Sequence, residues 1–281
     1  MSFNVRGSFR DLGKLDACWP SRAAKNVAAI RRQAPHLVGL QECQRGNLLT
    51  YRKYLPRYEQ IRGPRYGNAP PHDFNAILFD PTRVELLEFG GFWLSETPER
   101  QSQSWGTRVA RSANWALFGT EVGLIFYLNT HLDHKSGLAR RNGGALVVGR
   151  VEELIQDLRP GIPAILTGDF NCRPGTPTYD ILTQAGYADT FLAAGHRDEI
   201  GIDTFHAFQG NRYRDPHPKR GPRRIDWILL KDPSNRLDVV SHDILRDGAD
   251  SPPYPSDHHP VLACFVPTGR NGEPAPTEPQ A

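Results

Sequence analysis

No run in the chain approaches the roughly 18 apolar residues that a membrane-crossing helix needs, so a helical membrane protein is excluded. Cysteine is scarce. Cys18, Cys43, Cys172 and Cys264 are too scattered for a zinc motif or a disulfide scaffold, and free thiols are expected. The opening Met-Ser-Phe-Asn-Val-Arg-Gly has neither the order of a secretory signal nor the amphipathicity of a transit peptide. A cytoplasmic protein is expected, and a monomer. An excess of one charge is missing too: the net charge is +3, which leaves no polybasic field of the histone kind. Lysine is rare beside arginine, 6 residues against 28. Either a GC-rich genome or a demand for planar, bidentate phosphate partners accounts for that bias, and location along the chain must decide.

What is present describes a soluble globule, with 38% hydrophobic residues and a mean hydropathy of −0.52 over 281 residues. At that length about three quarters of the unfolded surface can be buried without help from crosslinks or structural metal. Helical text occurs at Ala23–Arg32, Leu138–Leu158 and Tyr179–Ala185. Strand text occurs at Leu37–Gln41, Ala76–Phe79, Val84–Trp93, Ala113–Thr120, Leu124–His131, Ala164–Asp169, Arg224–Leu230, Val239–Leu245 and Val261–Val266, and Phe3–Val5 also reads as strand. Many strands with few helices point to two packed sheets with helices outside them. No linker or repeat divides the chain, so residues 1–266 are expected to form one catalytic domain and 267–281 a disordered tail. The long irregular segment Gly195–Arg223 is of a length usually functional or mobile.

Several strands end in residues that burial would not choose. Leu37-Val-Gly-Leu-Gln-Glu42 closes on a carboxylate, and Tyr127-Leu-Asn-Thr-His131-Leu-Asp-His134 on imidazoles. Ile165-Leu-Thr-Gly-Asp169-Phe-Asn171 ends in Asp-x-Asn, Ile225-Asp226-Trp carries an acid into a strand, and Ser256-Asp257-His258-His259-Pro260 precedes the last strand. One such end is an ordinary turn or cap. Five supply hard oxygen ligands, two candidate imidazole bases and an amide able to donate to a phosphoryl oxygen. That set suits metal-assisted phosphoester hydrolysis with Mg²⁺ (or Mn²⁺), since no Cys/His set selects zinc. No Gly-x-Ser-x-Gly elbow supports a serine hydrolase, and no P-loop is present.

The ordered series Ser-Phe-Asn4, Gly-Leu-Gln-Glu42, Asn-Thr-His131, Gly-Asp169-Phe-Asn171, Arg-Ile-Asp226-Trp-Ile and Ser-Asp257-His258 resembles the endonuclease/exonuclease/phosphatase superfamily. The resemblance runs from Ser2 to about Val266, and Gly91-Phe-Trp-Leu-Ser-Glu-Thr-Pro is similar to a bacterial and fungal branch of it. It implies a four-layer α/β sandwich, two mostly antiparallel β-sheets face to face with helices on the outside and a site at one edge. It further implies that Glu42 holds Mg²⁺ with Asn4 and Asp257, and that His258, oriented by Asp226, is the base or stabilises phosphoryl charge. Asp169 would position or deprotonate the water, Asn171 would donate to the phosphoryl oxygen, and His131 would bind or protonate on the far side. By the same resemblance Asp73 would pair with His131. Arg6, where some members carry a second metal-binding acid, would place a cation near the phosphate or pair with a nearby acid.

Arg212, Arg214, Lys219, Arg220, Arg223 and Arg224 lead directly to Asp226, a basic run that would draw anionic substrate to the site, and Arg212, Arg214, Arg220 and Arg223 are read as substrate contacts. Arg108 and Arg111 read as surface residues; His134 and His259 read as a helix cap and a packing residue. The expected substrate carries a phosphodiester, nucleic acid or nucleotide first. A sugar-, inositol- or lipid-linked phosphate is the alternative, and an inactive nucleic-acid-binding module the remote one.

Overall fold

The structure, a computed structural model, describes residues 1–9, 15–64 and 74–269. Asp73 and residues 270–281 of the expected tail lie outside the described residues. In chain order the elements are β1 (Ser2–Asn4), α1 (Trp19–Gln33), β2 (Leu37–Cys43), α2 (Arg45–Tyr54), β3 (Glu59–Arg62), β4 (Phe74–Phe79), β5 (Glu85–Trp93), β6 (Ser112–Thr120), β7 (Gly123–His131), α3 (Gly137–Leu158), β8 (Ala164–Asp169), α4 (Pro177–Gln184), β9 (Ala188–Asp189), α5 (Thr190–Ala193), β10 (Asp226–Lys231), β11 (Leu237–Ile244) and β12 (Val261–Pro267). Two six-stranded sheets result, ordered β11-β12-β1-β2-β4-β3 and β5-β6-β7-β8-β10-β9. Each contains one parallel pair, β1 with β2 and β7 with β8, and is otherwise antiparallel.

Three apolar clusters order the layers. Ile77, Phe79, Phe118, Tyr127, Ile165 and Ile228 fill the space between the sheets. Val27, Ile30, Leu48 and Tyr51 pack α1 and α2 on the outer face of the first sheet, while Val147, Val151 and Leu182 pack α3 and α4 on the outer face of the second. The architecture is the expected four-layer α/β sandwich. Helix α3 shows the local logic: the Ser136 hydroxyl caps it by accepting from the Ala139 amide at 3.1 Å, and Ala139, Gly143, Val147 and Val151 recur every four residues on its buried face.

The strands that α1 and α3 cover run as apolar text and are legible in the sequence, whereas α2, α5, β3 and β9 are not. These elements are short, and packing rather than propensity fixes them. The strand expected at Arg224 begins only at Asp226. The long segment before it contains little regular structure but is docked: the amides of His206 and Ala207 donate to the Asp257 carbonyl at 2.8 and 3.2 Å.

The interior also holds a polar seam between the sheets. Gln41 Nε2 donates to Asn129 Oδ1 at 2.7 Å and to Ser2 Oγ at 3.0 Å; Asn129 Nδ2 donates across to the carbonyls of Leu40 and Ala76 at 2.9 and 3.1 Å. All three side chains are buried, so each bond replaces water that cannot enter. Gly39 permits the approach, since a Cβ there would lie 2.6 Å from Asn129 Oδ1.

Arg22 is equally buried. Its guanidinium donates to the carbonyls of Ala17 (2.6 Å), Val5 (3.0 Å), Pro255 (3.0 Å), Arg6 (3.3 Å) and Gly7 (2.9 Å), tying α1 to the segments that follow Asn4 and precede Ser256. Lysine has three donors and no fork. Arg22→Lys therefore leaves buried carbonyls unsatisfied, and urea unfolding is expected to show a loss of about 2–4 kcal/mol; a change below about 0.5 kcal/mol would show that water replaces the guanidinium there.

Candidate active site

Strand register places the site. In the second sheet His131 pairs with Asp169 across the parallel β7/β8 ladder, and Asp169 pairs with Asp226 across the antiparallel β8/β10 ladder. Three residues far apart in sequence thus stand side by side at one sheet edge. The first sheet brings Asn4 from the end of β1 and Glu42 from the end of β2, where the ladder to β4 is irregular between Leu40 and Cys43. Glu42, Arg6 and Asn171 each adopt left-handed backbone (φ 53°, 60° and 52°), a conformation costing non-glycine residues on the order of 1 kcal/mol or more. Its recurrence at three residues where strand ends of the two sheets meet marks a place where side-chain direction outweighs backbone comfort.

His258 Nδ1 lies 2.9 Å from Asp226 Oδ2 and 3.2 Å from Oδ1. Its Nε2 faces Asp169 Oδ2 at 3.8 Å, and His131 Nε2 reaches the same oxygen at 3.4 Å. Asp169 also accepts from Asn4 Nδ2 at 3.0 Å and, at Oδ1, from the Asn171 amide at 2.9 Å. The Asn171 side chain lies 2.9 Å from His131 Nε2. Asn4, His131, Asp169, Asn171, Asp226 and His258 therefore form one connected network. Asn4 Nδ2 also reaches Glu42 Oε1 at 3.4 Å. Asp257 stands beside Arg6, whose Nη1 is 3.6 Å from Oδ2.

Two residues read as peripheral belong to this site. Arg111 is nearly buried and contacts His131 Nδ1 at 3.0 Å and His134 Nδ1 at 3.1 Å, so its reading as a surface residue is corrected. A guanidinium only donates and so does the Asn171 amide nitrogen, which also donates to the Leu132 carbonyl at 3.0 Å, so a neutral His131, with one acceptor nitrogen, takes a hydrogen bond from Arg111 at Nδ1 or from Asn171 at Nε2 but not from both. His134 is not the helix cap, which is Ser136. A residue's neighbours in sequence do not disclose that its strand ends beside a histidine on the next strand; the cross-strand register does. His259 is buried, its ring 4.3 Å from that of His206.

The loop arginines divide. Arg223 lies over the Phe205 ring at 4.3 Å and donates to Tyr213 Oη at 2.6 Å, while Phe205 stands edge-on to His258 at 5.0 Å. Arg214 turns back to the carbonyls of Asn211 and Tyr213, Arg212 reaches Tyr254 Oη at 3.3 Å, and Arg220 is exposed. Arg224 is a buried structural cation between Asp189 and Asp198, at 2.7 and 2.9 Å.

Burial acts on the two central groups in opposite senses. Burial, and then the neighbouring Asp226 carboxylate, push Asp169 up to about 7. Burial alone would lower His258, but the Asp226 carboxylate bonded to it prevails and raises it to about 10. The site can therefore hold an imidazolium and, in the neutral range, a carboxyl group able to take a proton.

Among the described residues, the spacing of Asp169, Asp226 and His258 would admit an ion, with ligand atoms within 4.8 Å of one another. However, His258 Nδ1 is already committed to Asp226. Glu42 is the better hard-oxygen donor, with Asp257 near the same strand ends. Asn4 turns its amide nitrogen toward both Glu42 and Asp169, while its Oδ1 accepts from the Arg6 amide at 3.1 Å. It would ligate a cation only with the amide reversed. The donor set fits a divalent ion that prefers oxygen.

Such an edge site on a four-layer sandwich defines a phosphoester hydrolase of the deoxyribonuclease-I-like type. The chain belongs to the Endonuclease/Exonuclease/phosphatase family, whose sequence profile matches residues 1–258. Members of this family are phosphoester hydrolases and generally use divalent metals. Among solved structures it is similar to a mannosyl-6-phosphatase of Bacteroides thetaiotaomicron, 28% identical, with a TM-score of 0.82 covering 94% of this chain and 98% of the other. Zebrafish (Danio rerio) TDP2 complexed with a single-stranded DNA product shares the fold at 18% identity, with a TM-score of 0.69 over 94% of this chain and 97% of the other. A 2′,5′-phosphodiesterase 12 of Bos taurus is 27% identical over 158 residues, 53% of this chain; the match spans a quarter of that relative's length. Among the described residues no helix is long and apolar enough to cross a membrane.

The raised pKa of Asp169 has a linkage consequence. A carboxyl whose folded pKa lies above its unfolded value binds its proton more tightly when folded, so its contribution to stability falls as pH rises from about 4 to about 7. Asp169→Asn is expected to raise the thermal midpoint at pH 8 by a few degrees while abolishing hydrolysis, and the gain should shrink toward pH 4. An equal gain at both pH values would mean that Asp169 carries no proton-linked strain.

Proposed function

We propose that the protein is a Mg²⁺- or Mn²⁺-dependent phosphoesterase whose substrate is a small phosphorylated molecule of the sugar-phosphate class. The observation that carries the reaction class is the His258–Asp226 bond at 2.9 Å, with the free face of the imidazole turned to Asp169. In this reading Glu42 and Asp257 hold the cation, with Asn4 assisting. When bound, the metal neutralises phosphoryl charge and makes phosphorus accessible to water. Asp169 orients the attacking water and takes its proton, for which a pKa near neutrality is suited. His258, kept cationic by Asp226, stabilises charge on a phosphoryl oxygen. Asn171 donates to a second oxygen, and His131, held by Arg111, binds the far side of the phosphoryl group.

Two observations support a small substrate. The mannosyl-6-phosphatase matches nearly end to end, at 28% identity. The loop arginines, meanwhile, have separate partners: Arg212 reaches Tyr254, Arg214 turns to carbonyls of its own loop, and Arg223 adjoins the His258 ring through Phe205. This reverses the order of substrates expected from sequence. The second reading, a nucleotide phosphodiester, is favoured by the stretch similar to 2′,5′-phosphodiesterase 12. Arg6 is better read as the partner of Asp257 than as a free phosphate clamp.

Chelation is expected to abolish hydrolysis of p-nitrophenyl phosphate, and Mg²⁺ or Mn²⁺ to restore it; full activity after exhaustive chelation would overturn the reading. Glu42→Gln should shift the Mg²⁺ titration to higher concentration by about tenfold with the fold intact. A side-by-side assay on hexose 6-phosphates and linear dinucleotides separates the substrate classes. Under the sugar-phosphate reading, joint replacement of Arg212, Arg214 and Arg220 by Ser leaves kcat/KM within about twofold; a KM that rises for dinucleotides and loses its salt dependence would establish the nucleotide reading instead.

A further inference from the structure

The two partners of the His258–Asp226 pair come from different elements, Asp226 from the start of β10 and His258 from the segment before β12. They meet through a third segment. Thr204 is fully buried in the loop that precedes β10, and its Oγ1 accepts from the backbone amides of Ile225 at 2.9 Å and Asp226 at 3.1 Å. Its carbonyl accepts from the His259 amide at 2.7 Å, and its own amide donates to the Arg223 carbonyl at 3.2 Å. One residue thus grips the backbone on which Asp226 begins and the backbone next to His258. The adjacent Phe205 forms an isolated antiparallel bridge with His258.

Packing is non-directional and does not by itself set this alignment. A cavity of about 360 Å³ lies against the same loop, lined by Asp203, His206, Arg246 and His259 among others. Thr204 does not line that cavity; it is buried, and its hydrogen bonds fix the backbone of Asp226 where water cannot stand in for them. A hydroxyl oxygen accepting two amides is a directional device: valine matches threonine in shape but accepts nothing, leaving two buried N–H groups without partners.

We propose that Thr204 is a positioning residue, whose side-chain oxygen and carbonyl together hold Asp226 and His258 at bonding distance. The proposal rests on the reading of that pair as catalytic. Removing the acceptor changes where Asp226 presents its carboxylate without touching substrate or the metal-holding carboxylate Glu42, so the loss falls on kcat rather than KM.

The test compares Thr204→Val with Thr204→Ser, with p-nitrophenyl phosphate and Mg²⁺ as substrate and metal. Val is expected to lower kcat at least ~10-fold with KM within ~2-fold, while Ser stays within ~3-fold of wild type. In a His258→Ala background the Val change should cost less than ~2-fold, because the pair it aligns is gone. Independently of activity, the low-field proton NMR signal of the His258 Nδ1–H bonded to Asp226 should be present in wild type and Ser and lost in Val. If Val fails to fold, Thr204→Cys, which lacks the γ-methyl and offers only a weak sulfur acceptor, takes its place. Equal kcat and an intact signal in Val or Cys overturn the proposal, as do equal losses in Val and Ser. A wild-type protein that shows the signal but hydrolyses no phosphoester would overturn the functional reading, and the signal comparison would still decide the role of Thr204.

Discussion

The hydrogen bond from Asn4 to Asp169 joins the two sheets at the point where each delivers an acid. Glu42 belongs to one sheet and Asp169 to the other, and one amide nitrogen faces both carboxylates. Two like charges on facing edges would otherwise drive those edges apart. Much else in the molecule keeps these ends level. The Gln41 and Asn129 amides lock the sheets against sliding farther in, and Arg22 holds the segments that follow Asn4 and precede Ser256. The chemistry therefore rests on a registration between sheets that apolar packing, being non-directional, would not supply alone.

Most of the sandwich is legible in the order of amino acids alone, because its strands alternate or run apolar and its longer helices repeat at helical spacing. Glu42, His131, Asp169, Asn171, Asp226 and His258 are legible for a related reason: each stands where apolar text gives way to polar text, and the same six residues meet at one edge. What stays hidden depends on contacts across sequence. Arg111 looks like an ordinary polar residue ahead of a strand until register sets it beside His131. Arg22 stands just ahead of the helical text at Ala23–Arg32, and nothing beside it in sequence marks it as buried. The loop arginines, read together as substrate contacts, separate once each guanidinium is traced to its partner. The orientation of the Asn4 amide leaves no mark in a sequence, yet it decides whether that residue bridges acids or ligates a cation.

The site also concentrates features that a stability-driven fold would avoid. Three non-glycine residues adopt left-handed backbone, and Asp169 lies buried near Asp226 with its ionised form disfavoured. A well-solvated carboxylate would be a weaker base, and a well-solvated imidazole would not stay charged through the neutral range. For Asp169 the energetic tension and the reactivity share one origin, the removal of water from a group that needs charge, whereas His258 keeps its charge against that removal because the Asp226 carboxylate is bonded to it. The ladders β7/β8 and β8/β10, with a backbone hydrogen-bond pattern on either side of Asp169, keep that tension from relaxing by movement.

Arg22 finally sets a limit on modularity. Its guanidinium reaches from the inner face of α1 to backbone at both ends of the chain's described core, residues 5–7 and 255, which flank two of the site's segments. A graft of the strand-end residues onto another sandwich would carry the acids and imidazoles but leave those two segments unanchored. The smallest transplantable version of this site therefore includes an outer helix that supplies none of the network's side chains, and α1 belongs to the inheritance of the active site as much as the strands do.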